Sequence, residues 1–444
     1  WQNDTVYYNS DQSGNLQIWA YDTVSGEHRQ ITNHKEYDVK NPSQGPGAIV
    51  YENGGWLWVL DLKTEKSQRI VVSLHSDNPL TRPTIKSVGD GVRASSIAPD
   101  AQRVAFGARG DIFTVPAEKG NIRNLTRSPG IRERNPEWSP DGQYVAYLSD
   151  RSGEYEIWLS PADGQGEAKQ LTKGSNTYKM RMAWSPDSKH LLLNDAAMYL
   201  YVVDAESGKI KKIDQSPTDE INGFDWSPNS GWVAYAKGEE NGFRSIFLYE
   251  METGKSHRVT SDFTDEGDPC FDEDGDYLFF TSGQHFNPTL GGFDLKPIWA
   301  NMDGLYLVTL REDVKHPFPP ESDEVEVKKE DSKEEDAEKS DDEDAEKDKE
   351  EEDIKAIEID LEGIGERMVE LGVGPGQFSG LEFASGKLFY ISRPFTPGGS
   401  QGGPADHMAI KLFDMEEREE KTVMAGAFGF ELSANGEKLL YRNM

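Results

Sequence analysis

The sequence predicts an all-β chain of β-propellers made from four-stranded antiparallel blades. Three observations carry this: a repeat of forty-odd residues, one turn signature at the same place in each copy, and hardly any helical periodicity between turns. The clearest copies are Trp138-Ser139-Pro140-Asp141-Gly142, Trp184-Ser185-Pro186-Asp187-Ser188 and Trp226-Ser227-Pro228-Asn229-Ser230. Weaker ones follow Ile97 (Ala98-Pro99-Asp100), Phe271 (Asp272-Glu273-Asp274-Gly275) and Leu432 (Ser433-Ala434-Asn435-Gly436), and a degenerate one is Phe383-Ala384-Ser385-Gly386. The anchors 97, 138, 184, 226 and 271 lie 41, 46, 42 and 45 residues apart. That period with short strands points to propeller blades rather than helical solenoids.

Each unit has a physical reading. An aromatic or aliphatic anchor ends the first strand. In Ser-Pro-Asp-Gly, Pro presets φ, Asp bonds its own backbone, and Gly or Asn tolerates φ > 0. A β-rich run follows, such as Tyr144-Val145-Ala146-Tyr147-Leu148, then the turn Asp150-Arg151-Ser152-Gly153 and a third strand, Glu156-Ile157-Trp158-Leu159. A third turn, such as Asp204-Ala205-Glu206-Ser207-Gly208, leads to an outer strand at 210–213. Several units end alike: Gln30-Ile31-Thr32, Asn124-Leu125-Thr126, Gln170-Leu171-Thr172 and Arg258-Val259-Thr260.

The repeat extends upstream, through Val6-Tyr7-Tyr8 and Trp19-Ala20-Tyr21, then through a unit at 37–71. The pattern therefore predicts a chain that starts inside one blade and, at Lys438-Leu439-Leu440-Tyr441, stops inside another. Residues 73–91, with Pro79 and Pro83, read as a connector. The predicted domains are 1–72, the last blades of a first propeller, and 92–444, a second propeller with seven anchors and an incomplete last blade. The alternative is one closed eight-bladed ring, in which 6–32 pairs with 427–442 and buries both sheet edges. The interval from 271 to 383 is too long for a simple blade. It holds an insertion at 283–303 and a block at 321–353 with 20 acidic residues and 6 lysines, a net of −14. Such a block cannot bury apolar surface and is predicted disordered. It reads as a solvated loop between blade strands or as an electrostatic gate or cation sponge. Residues 396–404 read as a second flexible loop.

Lys plus Arg is 47 and Asp plus Glu is 80, a formal charge of −33. An acidic surface repels nucleic acid and anionic lipid, which argues against both as partners. No stretch approaches 18 consecutive apolar residues, so no transmembrane helix is expected. Trp1-Gln2-Asn3-Asp4 shows no signal-peptide character.

Little of the sequence points to chemistry, and no catalytic, cofactor or metal residue is assigned. The single cysteine, Cys270, excludes an internal disulfide framework and reads as a small buried hydrophobe rather than a nucleophile. The eight histidines (His28, His34, His75, His190, His257, His285, His316, His407) form no His-x-x-x-His or His-x-His pair. In Gly376-Gln377-Phe378-Ser379-Gly380 the serine stands one place too late for a nucleophile elbow, and Ser379 reads as part of a strand-entry turn. Thr253-Gly254-Lys255-Ser256 resembles the end of a phosphate loop, but Tyr249 occupies the required glycine position, so a hairpin turn is expected. Asp272-Glu273-Asp274-Gly275-Asp276 resembles part of a calcium loop but lacks the distal Glu, and it fills the Ser-Pro-Asp-Gly slot. Asn3-Asp4-Thr5 and Asn124-Leu125-Thr126 fit a glycosylation pattern that is common by chance. A Ser/His/Asp triad assembled across blades would need its members to meet in space, and the serines with clear context are turn serines.

The Trp-Ser-Pro-Asp-Gly…Ser-Asp-Arg-Ser-Gly cadence is shared by TolB-like propellers generally. Longer stretches resemble tricorn-type serine peptidases of the S41 family. These are 123–130 with 133–142, 113–120, Ile359-Asp360-Leu361-Glu362-Gly363-Ile364, Phe378-Ser379-Gly380-Leu381, and Tyr37-Asp38-Val39-Lys40 with Tyr51-Glu52-Asn53-Gly54-Gly55. The resemblance covers essentially the whole chain. It implies a six-bladed ring followed by a seven-bladed ring, then PDZ-like and catalytic domains C-terminal to these residues. The family's catalytic Ser, His and Glu belong to that later domain, so none is carried over. It further implies oligopeptide substrates filtered and channelled by the propellers, a homo-oligomer when full length, and a cytoplasmic location, or a periplasmic one if a signal peptide lies upstream. An acidic rim would favour basic peptides. Competing expectations are a non-catalytic TolB-like binding propeller and the propeller of a prolyl-oligopeptidase or amidohydrolase type enzyme.

Overall fold

The computed structural model describes residues 1–75, 84–286, 288–290, 296–319, 357–393 and 408–443. It falls into two compact units, Trp1–Lys86 and Ser87–Met444. The expected loops at 321–353 and 396–404, and His407, lie outside the described residues.

The first unit holds two antiparallel sheets. One is β1 (Thr5–Ser10), β2 (Gln17–Asp22) and β3 (His28–Gln30); the other is β4 (Lys40–Gly45), β5 (Ala48–Asn53), β6 (Trp56–Asp61) and β7 (Lys66–Arg69). Ile18, Val39, Ile49, Tyr51 and Leu60 pack between them. Asp38 accepts the Leu16 amide at 2.9 Å.

Among the described residues the second unit has six four-stranded sheets, one two-stranded sheet and a small ribbon. The first sheet is β8 (Val92–Ile97), β9 (Arg103–Ala108), β10 (Asp111–Pro116) and β11 (Arg123–Asn124). The second is β12 (Glu133–Trp138), β13 (Tyr144–Ser149), β14 (Glu156–Pro161) and β15 (Lys169–Gln170). The third is β16 (Lys179–Trp184), β17 (His190–Asp195), β18 (Tyr199–Asp204) and β19 (Ile210–Gln215). The fourth is β20 (Phe224–Trp226), β21 (Trp232–Gly238), β22 (Arg244–Glu250) and β23 (Ser256–Arg258). The fifth takes β24 (Glu266–Phe271) and β25 (Tyr277–Ser282), then passes the ribbon β26 (Thr289–Leu290) and β27 (Pro297–Ile298) before β28 (Gly304–Thr309) and β29 (Met368–Glu370). The acidic block thus falls between the third and fourth strands of one sheet. The sixth is β30 (Phe378–Ala384), β31 (Lys387–Ser392), β32 (Ala409–Asp414) and β33 (Glu419–Ala425), and the seventh is β34 (Ala427–Leu432) with β35 (Leu439–Asn443).

The seven anchors all fall at or next to the end of a first strand. Second strands such as β13 and β17 read as unbroken apolar runs because neighbouring sheets cover both faces: Val145–Ser149 and Leu191–Asp195 are buried throughout. The turn after each anchor is held by its serine. Ser139 Oγ donates to Asp141 at 2.6 Å and accepts the Tyr144 amide at 2.9 Å. Ser185, Ser227 and Ser433 repeat this with Asp187, Asn229 and Asn435. Where glycine closes the turn, φ is positive (72° at Gly142). Ser188 and Ser230 take the same left-handed backbone at 58°, and their hydroxyls accept the amides of Asp141 and Asp187 in the preceding sheet. The shared Thr ending also has a role, since the Thr32, Thr126, Thr172 and Thr260 hydroxyls accept the amides of Ile18, Ile112, Ile157 and Ile246.

First strands touch one another in chain order, and the last returns to the first. β8 meets β12, β12 meets β16, β20 meets β24, β24 meets β30, β30 meets β34, and β34 meets β8. The Trp226 indole joins β20 to β16 by donating to the Ala183 carbonyl at 3.3 Å.

Candidate functional site

The closed series of first strands surrounds an axis, and one register position recurs around it: the residue just before each anchor. Around the series these are Ser96, Glu137, Ala183, Asp225, Cys270, Glu382 and Glu431. Irregular first strands set this register. Ladder shifts interrupt β12, β24 and β30 immediately before Glu137, Cys270 and Glu382. Asn135, Asp268 and Gly380 absorb them with φ of 50°, 46° and 63°, the residue types that best tolerate left-handed backbone. Asn135 then reaches the Met180 carbonyl at 2.7 Å, and Asp268 accepts the Gly380 amide at 3.1 Å, so the bulges also stitch neighbouring strands.

The axial side chains link each sheet to the next. Ser96 Oγ accepts the Trp138 amide at 2.9 Å, Asp225 the Phe271 amide at 2.9 Å, and Glu382 the Leu432 amide at 2.8 Å. Glu431 accepts the Ile97 amide at 2.6 Å, joining the two-stranded seventh sheet to the first. The Phe383 amide bonds the Cys270 sulfur. At the Glu137 position the link runs the other way, the Trp184 indole donating to the Glu137 carbonyl at 3.1 Å.

Four carboxyls therefore converge on the axis with little compensating charge. Burial pushes Asp225 up to about 6, Glu431 up to about 7 and Glu382 up to about 8. Glu382 is raised further by Glu431 and Asp225. Glu137 is pushed well above its ordinary range by burial and then by Glu431, with Arg181 opposing. All four keep partial contact with water although protein encloses them. Near neutrality Asp225 is therefore mostly ionised, Glu431 is near its midpoint, and Glu382 and Glu137 hold their protons.

The structure places the sequence candidates elsewhere or gives them structural surroundings. Cys270 is 5% exposed, and burial plus Asp225 and Glu382 push its thiol well up. Ser379 is not in an entry turn as expected: it is the second residue of β30, just before the bulge. Gly254 sits in a hairpin turn with φ of 70°, its amide donating to the Glu250 carbonyl. Asp272 replaces the turn serine, accepting the Tyr277 amide at 2.9 Å, while Asp276 pairs with Arg311 at 2.9 Å. Asn124 folds its Oδ1 onto the Thr126 and Arg127 amides. The histidines have separate partners: His28 meets Tyr8, His34 meets Tyr51 and His285 meets Glu370. Among the described residues no cluster of three or more His, Cys, Asp or Glu could hold a metal ion.

Sequence reasoning missed the axial carboxyls, although a signal existed. An acid precedes the anchor in Glu137-Trp138, Asp225-Trp226, Glu382-Phe383 and Glu431-Leu432. Motif searches for chemistry pass over it because no two of these acids are neighbours in the chain.

Comparison with known proteins agrees with this architecture. Over 438 residues the chain is 25% identical to the Tricorn protease homolog of Saccharolobus solfataricus, covering 98% of this chain and 37% of that protein. It is 26% identical over 459 residues to Tricorn protease homolog 1 of Streptomyces coelicolor, covering 99% of this chain and 41% of that one. The chain thus spans about two fifths of these relatives' length. The crystal structure of the tricorn protease superposes with a TM-score of 0.67 at 20% identity, over 99% of this chain and 40% of the other, which speaks to the fold. Among the described residues no helix is long and apolar enough to cross a membrane. Residues 92–444 match the family model of the tricorn protease second β-propeller domain, and the chain accordingly belongs to the tricorn protease family.

Proposed function

We propose that this chain is the propeller region of a tricorn-like serine peptidase, gating and channelling oligopeptides to a catalytic domain C-terminal to it. One observation carries the reading: seven first strands in a closed series about an axis lined by partly wet carboxyls. On this reading the second unit is a seven-bladed ring whose passage admits an extended peptide but not a folded domain. The first unit would contribute the last blades of a preceding ring. PDZ-like and peptidase domains, homo-oligomerisation and a cytoplasmic location belong to the same proposal, whose support is membership of the family and the share of the relatives' length that this chain covers.

The test narrows the axis in the full-length protein. Ala183 holds this register position without a polar side chain and also packs against the cluster of Leu192, Val202 and Trp226, so Ala183→Trp adds bulk without deleting a side-chain link and is scored in protein whose melting temperature holds. Turnover of a decapeptide should fall several-fold while that of a small chromogenic amide holds. Equal effects on both substrates, or none on either, would refute axial passage. Deleting 321–353 tests electrostatic steering by the acidic block: an unchanged ratio of basic to acidic peptide hydrolysis would remove that role.

A further inference from the structure

A cavity of about 650 Å³ opens between the first and second sheets of the second unit, beside the starts of β8 and β12. In a chain of net charge −33 its walls carry four arginines: Arg93, Arg109, Arg132 and Arg134. The acids lining it are Asp90 and Glu133. Glu133 is already engaged, its oxygens taken by Ser128 at 2.6 and 2.7 Å and by Arg151 at 3.2 Å. Arg151, Arg244, Arg258 and Arg311 sit on carboxylates elsewhere in the unit, whereas none of the four cavity arginines forms an ion pair among the described residues.

Two of the four are held in place at a cost. Arg134 lies between the rings of Tyr155 and Tyr178, 4.4 and 4.3 Å from their centroids. Its guanidinium donates to the Lys179 and Met180 carbonyls, and its buried Nε has no hydrogen-bond partner, so it lends the cavity charge while Arg93, Arg109 and Arg132 are the arginines left to grip a ligand. Arg109 has φ of 55° in the two-residue β9–β10 hairpin, followed by Gly110 at 93°. That turn favours Asn or Asp before Gly, so an arginine there is strained locally. Glycine keeps the space open: a Cβ at Gly91 would come within 3.0 Å of the Arg109 side chain, and one at Gly110 within 3.1 Å of the Ile131 carbonyl.

Guanidiniums without carboxylate partners gathered in one concavity repel one another until an anion joins them, and a planar fork matches a carboxylate bidentately. The volume lies within the usual range for a ligand pocket. We propose that this pocket docks a peptide carboxylate, from an acidic side chain or the C-terminus, beside the mouth of the axial passage. The assignment rests on the reading that the unit handles peptides, and it names acidic peptides as the class retained there.

The test measures binding of rhodamine-labelled hexapeptides to the 444-residue chain by fluorescence anisotropy. The probes are an alternating Ala-Glu peptide with a free or amidated C-terminus, all-Ala with a free C-terminus, and amidated Ala-Lys. Carboxylate-bearing peptides should bind more tightly than Ala-Lys. Arg109→Ala/Arg132→Ala should weaken them by about tenfold or more, as expected for lost charge-assisted hydrogen bonds. Arg109→Lys/Arg132→Lys should retain part of the affinity, and since all these side chains are exposed the melting temperature should hold. Loss on amidation assigns the terminus, and its absence assigns the acidic side chains. Peptide binding without a carboxylate preference, or equal binding by the double alanine variant, overturns the pocket alone. No binding of any peptide overturns the peptide reading as well.

Discussion

Glu431→Gln isolates what the axial carboxyls cost. Glutamine keeps an oxygen to accept the Ile97 amide, bonded at 2.6 Å in the native chain, but cannot ionise. Burial moves the Glu431 carboxyl from its ordinary 4.5 to about 7. The folded chain therefore holds this proton over a pH range where the unfolded chain has released it, and stability falls as pH rises from about 4.5 through about 7. At 1.36 kcal/mol per pKa unit the shift corresponds to about 3 kcal/mol lost above pH 8. The neighbours reinforce this sign: Glu137 and Glu382 are both raised by Glu431, so removing its charge eases them too. Thermal melts from pH 5 to 8.5 provide the assay. The variant should match the wild type at pH 5 and melt about 4 °C higher at pH 8.5. Parallel pH profiles for the two proteins, or a variant destabilised at every pH, would refute the idea that ionisation here opposes closure of the strand series.

Asp272→Ser restores the repeat's turn serine where burial pushes a carboxyl from its ordinary 3.8 up to about 7, so its gain in stability should be largest above pH 7 and shrink steadily as pH falls toward 3.8, as read by the same melts extended to about pH 3.5. Ser139→Ala removes a fully buried hydroxyl and orphans the Tyr144 amide, and urea denaturation should show a loss of about 1–3 kcal/mol. Lys179→Met strands Glu156, whose carboxylate lies 3.0 Å from the ammonium and 3% exposed; an expected cost of about 3–5 kcal/mol would be disproved by an unchanged urea midpoint. Trp226→Phe deletes the indole link from β20 to the Ala183 carbonyl, and a loss near 1 kcal/mol should appear in the same titration.

Much of the fold was legible because it is local. A serine, a proline and an Asp-Gly pair set a turn through bonds spanning five residues, as Ser139 to Tyr144 shows, and a buried second strand announces itself as a run such as Leu191-Leu192-Leu193. Even the degenerate copy at Phe383 could be aligned, since its turn still needs left-handed backbone, at 52° for Ser385. The blade with the acidic block was harder, because its third and fourth strands, β28 and β29, are separated by residues 310–367. Ser379 was misplaced for a related reason: a bulge lets a strand begin earlier than its apolar pattern suggests.

Repetition thus determined, from residues alone, that the chain would fold into stacked antiparallel sheets and where each begins. Only tertiary structure decided which side chains share the axis, since Glu431 and Ile97 stand 334 positions apart and meet because the last sheet returns to the first. The same holds for the arginine cavity, where Arg93, Arg109 and Arg132 come from three segments. Local sequence sets torsions and burial, whereas convergence of charge depends on how whole sheets pack around a common centre, which no short window of residues records.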